Sequence, residues 1–142
     1  MRPTGLIDTG ALFAIVNPRD QWHAPCMEIL RSALFPLATT ASALTELFHL
    51  LPSNPWGVGA GWRFLDPDIV TVLPIGDEDM PRIKELMVQY ADRPMDFADA
   101  TLVRLAERES LTTIFTVDHD DFETYRINGR RRFRIVPERR DG

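Results

Sequence analysis

Short apolar segments alternate with amphipathic ones along the chain, and two of the strand-like segments end directly at an aspartate. Together these observations predict an α/β protein, a three-layer α/β/α sandwich around a mainly parallel central sheet. The length of 142 residues, 44 % hydrophobic and 26 % charged, suits one compact core rather than a disordered or fibrous chain. Residues 1–142 therefore read as a single domain.

Thr4 to Asp8 reads as a short buried strand, and Thr9 to Val16 as a short apolar helix stopped at Asn17-Pro18. Gln21 to Leu34 has apolar residues at Trp22, Cys26, Ile29, Leu30, Ala33 and Leu34, a helical spacing with a cap near Asp20 and a stop at Pro36. Leu37 to Thr40 is a second strand. Ser42 can cap a helix through Ala43 to Leu51, which Pro52 ends, and this places Glu46 on an otherwise apolar helix.

The two prolines and three glycines between Pro52 and Gly61 read as a loop leading into a short helix around Trp62 to Leu65. Ile69 to Leu73 is a β-branched strand, and Asp77 to Tyr90 follows as a helix with Met80, Ile83, Leu86, Met87 and Tyr90 on one face. Asp96 to Glu109 is the clearest helix. Thr113 to Val117 is the clearest strand and ends at Asp118; Phe133 to Val136 is a last short strand before Pro137.

Composition narrows the function classes. Cys26 alone excludes an intramolecular disulfide and thiolate zinc sites. The amino-terminal residues lack the apolar core of a signal peptide, and no apolar run reaches membrane-spanning length, so a soluble cytoplasmic protein with no membrane partner is expected. Net charge is −5, yet seven arginines face only Glu138 between Arg126 and Arg140, leaving about +6 there and about −11 elsewhere. That stretch is equally well read as a solvated tail with a strand in it or as a surface that contacts phosphates or a partner. Gly-rich phosphate loops, a G-x-S-x-G elbow and H-E-x-x-H are absent from the sequence.

The acids carry the chemistry. In a parallel sheet Asp8 and Asp118 both fall at the carboxyl edge of their strands, where this architecture builds its sites. Asp96 and Asp99 share the first turn of one helix. Carboxylates gathered in a low-dielectric crevice repel one another and hold protons unless a divalent cation relieves them, and hard ions such as Mg²⁺ or Mn²⁺ prefer oxygen ligands of this kind. Such a site suits hydrolysis of a phosphodiester by activated water.

Each acid also has a plainer reading. Asp8 and Asp96 can simply cap helices, Asp99 can favour the first turn through the helix dipole, and Asp118 can open a polar turn with His119, Asp120 and Asp121. Glu46, flanked by Leu44, Leu47 and Phe48, is the hardest to explain structurally. His23, His49 and His119 do not form a ligand spacing, and Trp22, Phe48, Phe97 and Phe122 read as core aromatics.

The ordered set of pieces resembles the PIN-domain ribonucleases, and among them the VapC-like toxins of type II toxin–antitoxin pairs. The resemblance spans almost the whole chain and rests on Leu6-Ile7-Asp8-Thr9-Gly10-Ala11-Leu12, Thr39-Thr40 to Glu46, Asp96-Phe97-Ala98-Asp99-Ala100 to Ala106-Glu107, and Ile114-Phe115-Thr116-Val117-Asp118 with Asp121-Phe122 behind it. It implies a PIN-like fold, with Asp8 and Asp99 binding Mg²⁺ or Mn²⁺, Glu46 and Asp118 completing the catalytic cluster, Asp96 auxiliary, and Thr9 or Thr116 orienting water. Gly10 stands where such proteins often carry Ser, a change expected to leave the carboxylates unaffected.

The resemblance further implies a homodimer, a cognate antitoxin protein whose tail enters the acidic crevice, and an RNA substrate such as tRNA or rRNA. The arginine stretch is compatible with gripping RNA phosphates beside the acids. Two alternatives compete: a PIN-like RNA-processing nuclease outside toxin–antitoxin systems, and a metal-free α/β interaction domain whose acids only cap helices and solubilise the surface.

Overall fold

A computed structural model describes residues 2–139. The first half of the chain forms β1 (Gly5–Ile7), α1 (Thr9–Val16), α2 (His23–Ser32), β2 (Leu37–Thr39), α3 (Ala41–Leu50), α4 (Pro55–Trp62) and β3 (Val70–Val72). A 3-10 turn (Asp77–Asp79) then runs into α5 (Met80–Gln89), followed by α6 (Phe97–Glu109), β4 (Thr113–Phe115) and α7 (His119–Thr124). The chain closes with a hairpin of β5 (Arg126–Ile127) and β6 (Arg131–Arg132), then β7 (Arg134–Val136).

The expected α/β sandwich is what forms. Five strands lie in the order β3-β2-β1-β4-β7, and every pair is parallel. Side chains alternate across the strands, as the pleat requires. Leu6, Ala38 and Ile114 face Ile83, Leu86, Leu102, Leu105 and Phe122 of α5, α6 and α7. Ile7, Leu37 and Phe115 face Leu12, Ile15, Cys26 and Leu47 of α1, α2 and α3. Two helical layers thus sandwich the sheet, and β1, buried on both faces, sits at its centre.

Several element boundaries differ from expectation for identifiable reasons. The expected loop over Pro52–Gly61 is mostly helix α4, because Asn54 accepts from Gly57 N–H at 2.8 Å and Pro55 fits the first turn. Its glycines serve close packing: a Cβ at Gly57 would stand 1.9 Å from the Pro52 carbonyl oxygen, and one at Gly61 would stand 2.4 Å from the Phe48 ring. Helix α2 stops at Ser32, which leaves Leu34 75 % exposed rather than in the core. Asp118 and its neighbours start helix α7 instead of forming only a turn.

The arginine stretch is split by the fold. Exposed Arg130, Arg131, Arg132 and Arg134 belong to the hairpin and the start of β7. Arg134 pairs with Thr113 at the amino end of β4, the end opposite Asp118. These four cations therefore do not flank the acids, and of the two readings of the stretch the solvated one suits them. Arg139 alone among the described arginines of the stretch lines a depression with Asp118, and Arg140 lies outside the described residues.

Candidate active site

Parallel strands deliver their carboxyl ends, and the amino ends of the following helices, to one edge of the sheet. Asp8 leaves β1 and caps α1, its Oδ1 accepting from Ala11 N–H at 3.0 Å. Asp118 leaves the neighbouring strand β4. Thr116 ties the two together: its hydroxyl donates to Asp8 Oδ2, and its Oγ1 accepts from the Asp118 N–H at 2.9 Å. A Cβ built at Gly10 would lie 3.7 Å from Asp8 Oδ1 and 3.8 Å from Asp118 Oδ2, so both carboxylates reach the same small space.

The other two acids arrive on helices. Asp99 lies in the first turn of α6, where the Tyr125 hydroxyl donates to its Oδ2 at 3.0 Å. Tyr125 is itself buried between Tyr90 and Phe122 by edge-to-face contacts. Glu46 projects from α3, and Thr9 Oγ1 lies 3.4 Å from its Oε2 while donating to Ala43 O at 2.8 Å. A Thr40–Thr101 hydroxyl pair at 2.9 Å joins α3 to α6, fixing the helices that carry Glu46 and Asp99.

Asp96 is exposed and caps α6, accepting from Asp99 N–H at 2.7 Å, which is its plainer reading. Sequence reasoning gave Tyr125 no part in the site. Nothing local marks it, because its role depends on α7 returning the chain to α6. His23 and His119 make contacts to backbone carbonyls, in keeping with the structural reading of both.

Electrostatically the site is unbalanced. Asp8 is 3 % exposed, and burial, with smaller contributions from the charges of Asp118 and Glu46, pushes its pKa up to about 7 against the lowering effect of Thr116 and Ala11 N–H. Burial and the charge of Asp96 push Asp99 up to about 8, with Asp8 and Asp118 adding to the repulsion and the Tyr125 hydrogen bond opposing it. Glu46 is raised by desolvation, then by Asp96 and Asp118. Asp118 opens to solvent yet is also raised, by partial desolvation and by Asp121 and Asp96. Among the described residues none of these four carboxylates pairs with a basic side chain.

An all-oxygen donor set whose acids are raised by burial and by one another's charge fits a hard divalent cation, which would favour the ionised carboxylates of Asp8 and Asp99. Among the described residues no three Asp, Glu, His or Cys side chains are already arranged to share one ion. The fit is thus one of donor chemistry and charge, and gathering the ligands would take side-chain rotation.

Comparisons with known proteins agree with the architecture. The family described as "PIN domain" matches residues 5–128. Ribonuclease VapC26 of Mycobacterium tuberculosis is 29 % identical over 135 residues, covering 93 % of this chain and 99 % of that protein. The crystal structure of Mycobacterium tuberculosis VapC20, described as a sarcin–ricin loop cleaving toxin, aligns with a TM-score of 0.72 at 21 % identity over 81 % of this chain and 90 % of that one. At that identity the likeness is one of fold.

Proposed function

The chain belongs to the PIN-domain family, and on that premise we propose that it is a divalent-metal-dependent endoribonuclease, the toxin of a type II toxin–antitoxin pair, acting in the cytoplasm as a homodimer. What supports this reading is that Asp8, Glu46, Asp99 and Asp118 lie at one edge of the sheet, coupled by electrostatic repulsion, and that among the described residues none of them pairs with a basic side chain. A fold that neutralises its other buried acids with arginine has left these open. The ribonuclease and toxin parts of the proposal are supported by the names of the relatives, ribonuclease VapC26 and the sarcin–ricin loop cleaving toxin VapC20. They point to structured RNA, tRNA or rRNA, as substrate and to an antitoxin as protein partner.

In this reading Asp8 and Asp99 hold Mg²⁺ or Mn²⁺, with Glu46 and Asp118 completing the cluster and Asp96 adding negative charge at its rim. When bound, a hard dication supplies Lewis acidity: it acidifies water and offsets charge on the phosphoryl oxygens. The chain supplies placement. Ala11 N–H and Thr116 hold the Asp8 carboxylate in one orientation, and Tyr125 does the same for Asp99. Burial and the adjacent Asp99 charge raise the Tyr125 pKa, so the phenol stays a donor across the working pH range. The amino ends of α1, α3 and α6 meet at this edge and offer partial positive charge to an incoming phosphate.

Mapping of cuts in total RNA with and without Mg²⁺ tests the reading. Wild type is expected to make discrete metal-dependent cuts that Asp99→Asn loses, and expression of wild type to arrest growth that Asp8→Asn permits. RNA left intact by wild type in Mg²⁺ and Mn²⁺ would remove the nuclease assignment. Cuts without growth arrest would favour an RNA-processing enzyme of the same fold.

A further inference from the structure

Phe97 was expected in the core but is 41 % exposed. It lies in the first turn of α6, beside Asp96 and Asp99, with its ring partly open to solvent. Phe97 lines a cavity of about 370 Å³ together with Val72, Ile75 and Met80, while Thr40 and Ser42 form its polar side. Val72 is 44 % and Met80 41 % exposed, so three large apolar side chains meet solvent around one depression. Its volume falls within the roughly 300–1,000 Å³ range of small-molecule sites.

Two helices connect this cavity to the acids. Ser42 and Glu46 are four residues apart on α3 and so share a face. Phe97 directly follows Asp96, the acid whose charge acts most strongly on Glu46. The cavity therefore borders the crevice along its α3 and α6 walls. The two spaces differ in chemistry: the crevice is a cluster of carboxylates, whereas among the described residues no ionisable side chain lines the cavity. Its walls are mostly apolar, with Val72, Ile75, Met80 and Phe97 opposite the polar Thr40 and Ser42, so a flat, neutral, partly polar group fits it better than a charged one.

Resting on the ribonuclease reading above, we propose that this cavity is a nucleobase subsite, which receives one unpaired base next to the phosphodiester being cut. The base stacks on the Phe97 ring and covers Val72 and Met80. Its polar edge meets the Ser42 hydroxyl and the N–H groups of Ala41 and Ser42, which have no acceptor within the helix; the Ala43 N–H already donates to the Thr40 hydroxyl oxygen. Only a base released from pairing can enter, so the subsite directs cleavage to loops and bulges, the parts of RNA whose bases can be splayed out. Phe97 is then a specificity-determining residue.

The test uses a labelled single-stranded RNA spanning the mapped cut, and versions in which either nucleotide flanking the cut is abasic. Phe97→Ala is expected to raise Kd by anisotropy, and KM, by about tenfold, within the range that base–aromatic stacking supplies. kcat should change far less, and Phe97→Tyr should restore both constants. Removing one flanking base should cost wild type the same tenfold and cost Phe97→Ala nothing further, the signature of two groups acting on each other.

Independent, additive losses would overturn the subsite, as would unchanged binding. Loss of binding that follows dissociation of subunits in sedimentation would also overturn it, by assigning the patch to a second copy of the chain. Wild type that cuts RNA without regard to Phe97 removes the subsite alone. Wild type that cuts no RNA removes the ribonuclease reading and the subsite with it.

Discussion

Helix α6 meets buried acids at both ends. Along its carboxyl-terminal half, Arg104 and Arg108 bond the fully buried Asp79 at 2.8 and 2.9 Å, and Arg82 makes two bonds to Glu107 at 2.8 and 2.9 Å. At its amino-terminal end Asp99 senses Asp96, Asp8 and Asp118 and pairs with no basic side chain among the described residues. The consequences are opposite in sign. Hydrogen bonds from Gly76 N–H and Arg104, and the charges of Arg108 and Arg104, overcome desolvation and hold Asp79 below its usual range. Asp8 and Asp99 rise to about 7 and 8. The fold is thus able to neutralise a buried carboxylate and does so where the acid ties elements together; at the sheet edge it leaves the charge for something else to satisfy.

The largest expected effect separates the two groups by what they lose. Asp8→Asn or Asp99→Asn should lower RNA cleavage in saturating Mn²⁺ by at least about a hundredfold, since several kcal/mol of charge stabilisation depends on the dication. Asp79→Asn should leave cleavage per folded molecule within about twofold. It should instead destabilise the protein by about 3 kcal/mol, because two arginines lose their shared partner. Single-turnover kinetics and urea unfolding read the two outcomes, and loss of activity in the Asp79 variant at full folding would erase the distinction.

The next effect is a pH dependence of opposite sign at the two ends. Asp8 and Asp99 have folded-state pKa values above the roughly 4 of an unfolded aspartate, so between about pH 4 and 8 the native state keeps protons that the unfolded chain has released. Their contribution therefore falls as pH rises through that window and is flat above it. Asp79, held low, contributes above about pH 4 and loses that contribution as pH falls further. Metal-free protein should melt at lower temperature at pH 8 than at pH 6. Asp99→Asn should flatten that slope and raise Tm at pH 8 by about 3 °C, equivalent to about 1 kcal/mol for a chain of this size. A metal-free Tm that climbs from pH 6 to 8 would contradict the raised values.

The smallest effect concerns Tyr125. Tyr125→Phe removes the hydrogen bond that favours the Asp99 carboxylate, a contribution of about 1 kcal/mol. Asp99 should then hold its proton more tightly, so Mn²⁺ affinity at pH 7 should weaken about fivefold and recover at higher pH. A loss independent of pH would mean that the phenol acts only through packing.

Much of this arrangement was legible in the sequence because strand ends and helix starts carry local signals. Thr4 to Asp8 and Thr113 to Asp118 announce strands that stop at acids, and parallel pairing of β1 with β4 follows from their placement between helices. Glu46 stood out as a charge on an apolar helix. What escaped depended on tertiary packing. The glycines of α4 looked like loop signals, yet they let Phe48 and Pro52 approach the helix. Phe97 and Met80 have apolar side chains at helical spacing, and only the fold shows that each stays 41 % exposed. Asn128-Gly129 was a readable hairpin signal, with positive φ values of 53° and 75°, that the basic charge of the segment obscured. The distance of the hairpin arginines from the acids follows from β7 running parallel to β4, which charge counting alone does not reveal.

Calorimetric titration of the protein with Mn²⁺ at pH 7.5 tests most directly whether the uncompensated acids are a dication site. Saturable binding with proton release is expected for wild type, since Asp8 and Asp99 must give up protons to ligate, and the same heat is expected for Asp79→Asn. Asp99→Asn should abolish it. Wild type without binding heat, or Asp99→Asn with the wild-type isotherm, would contradict the account.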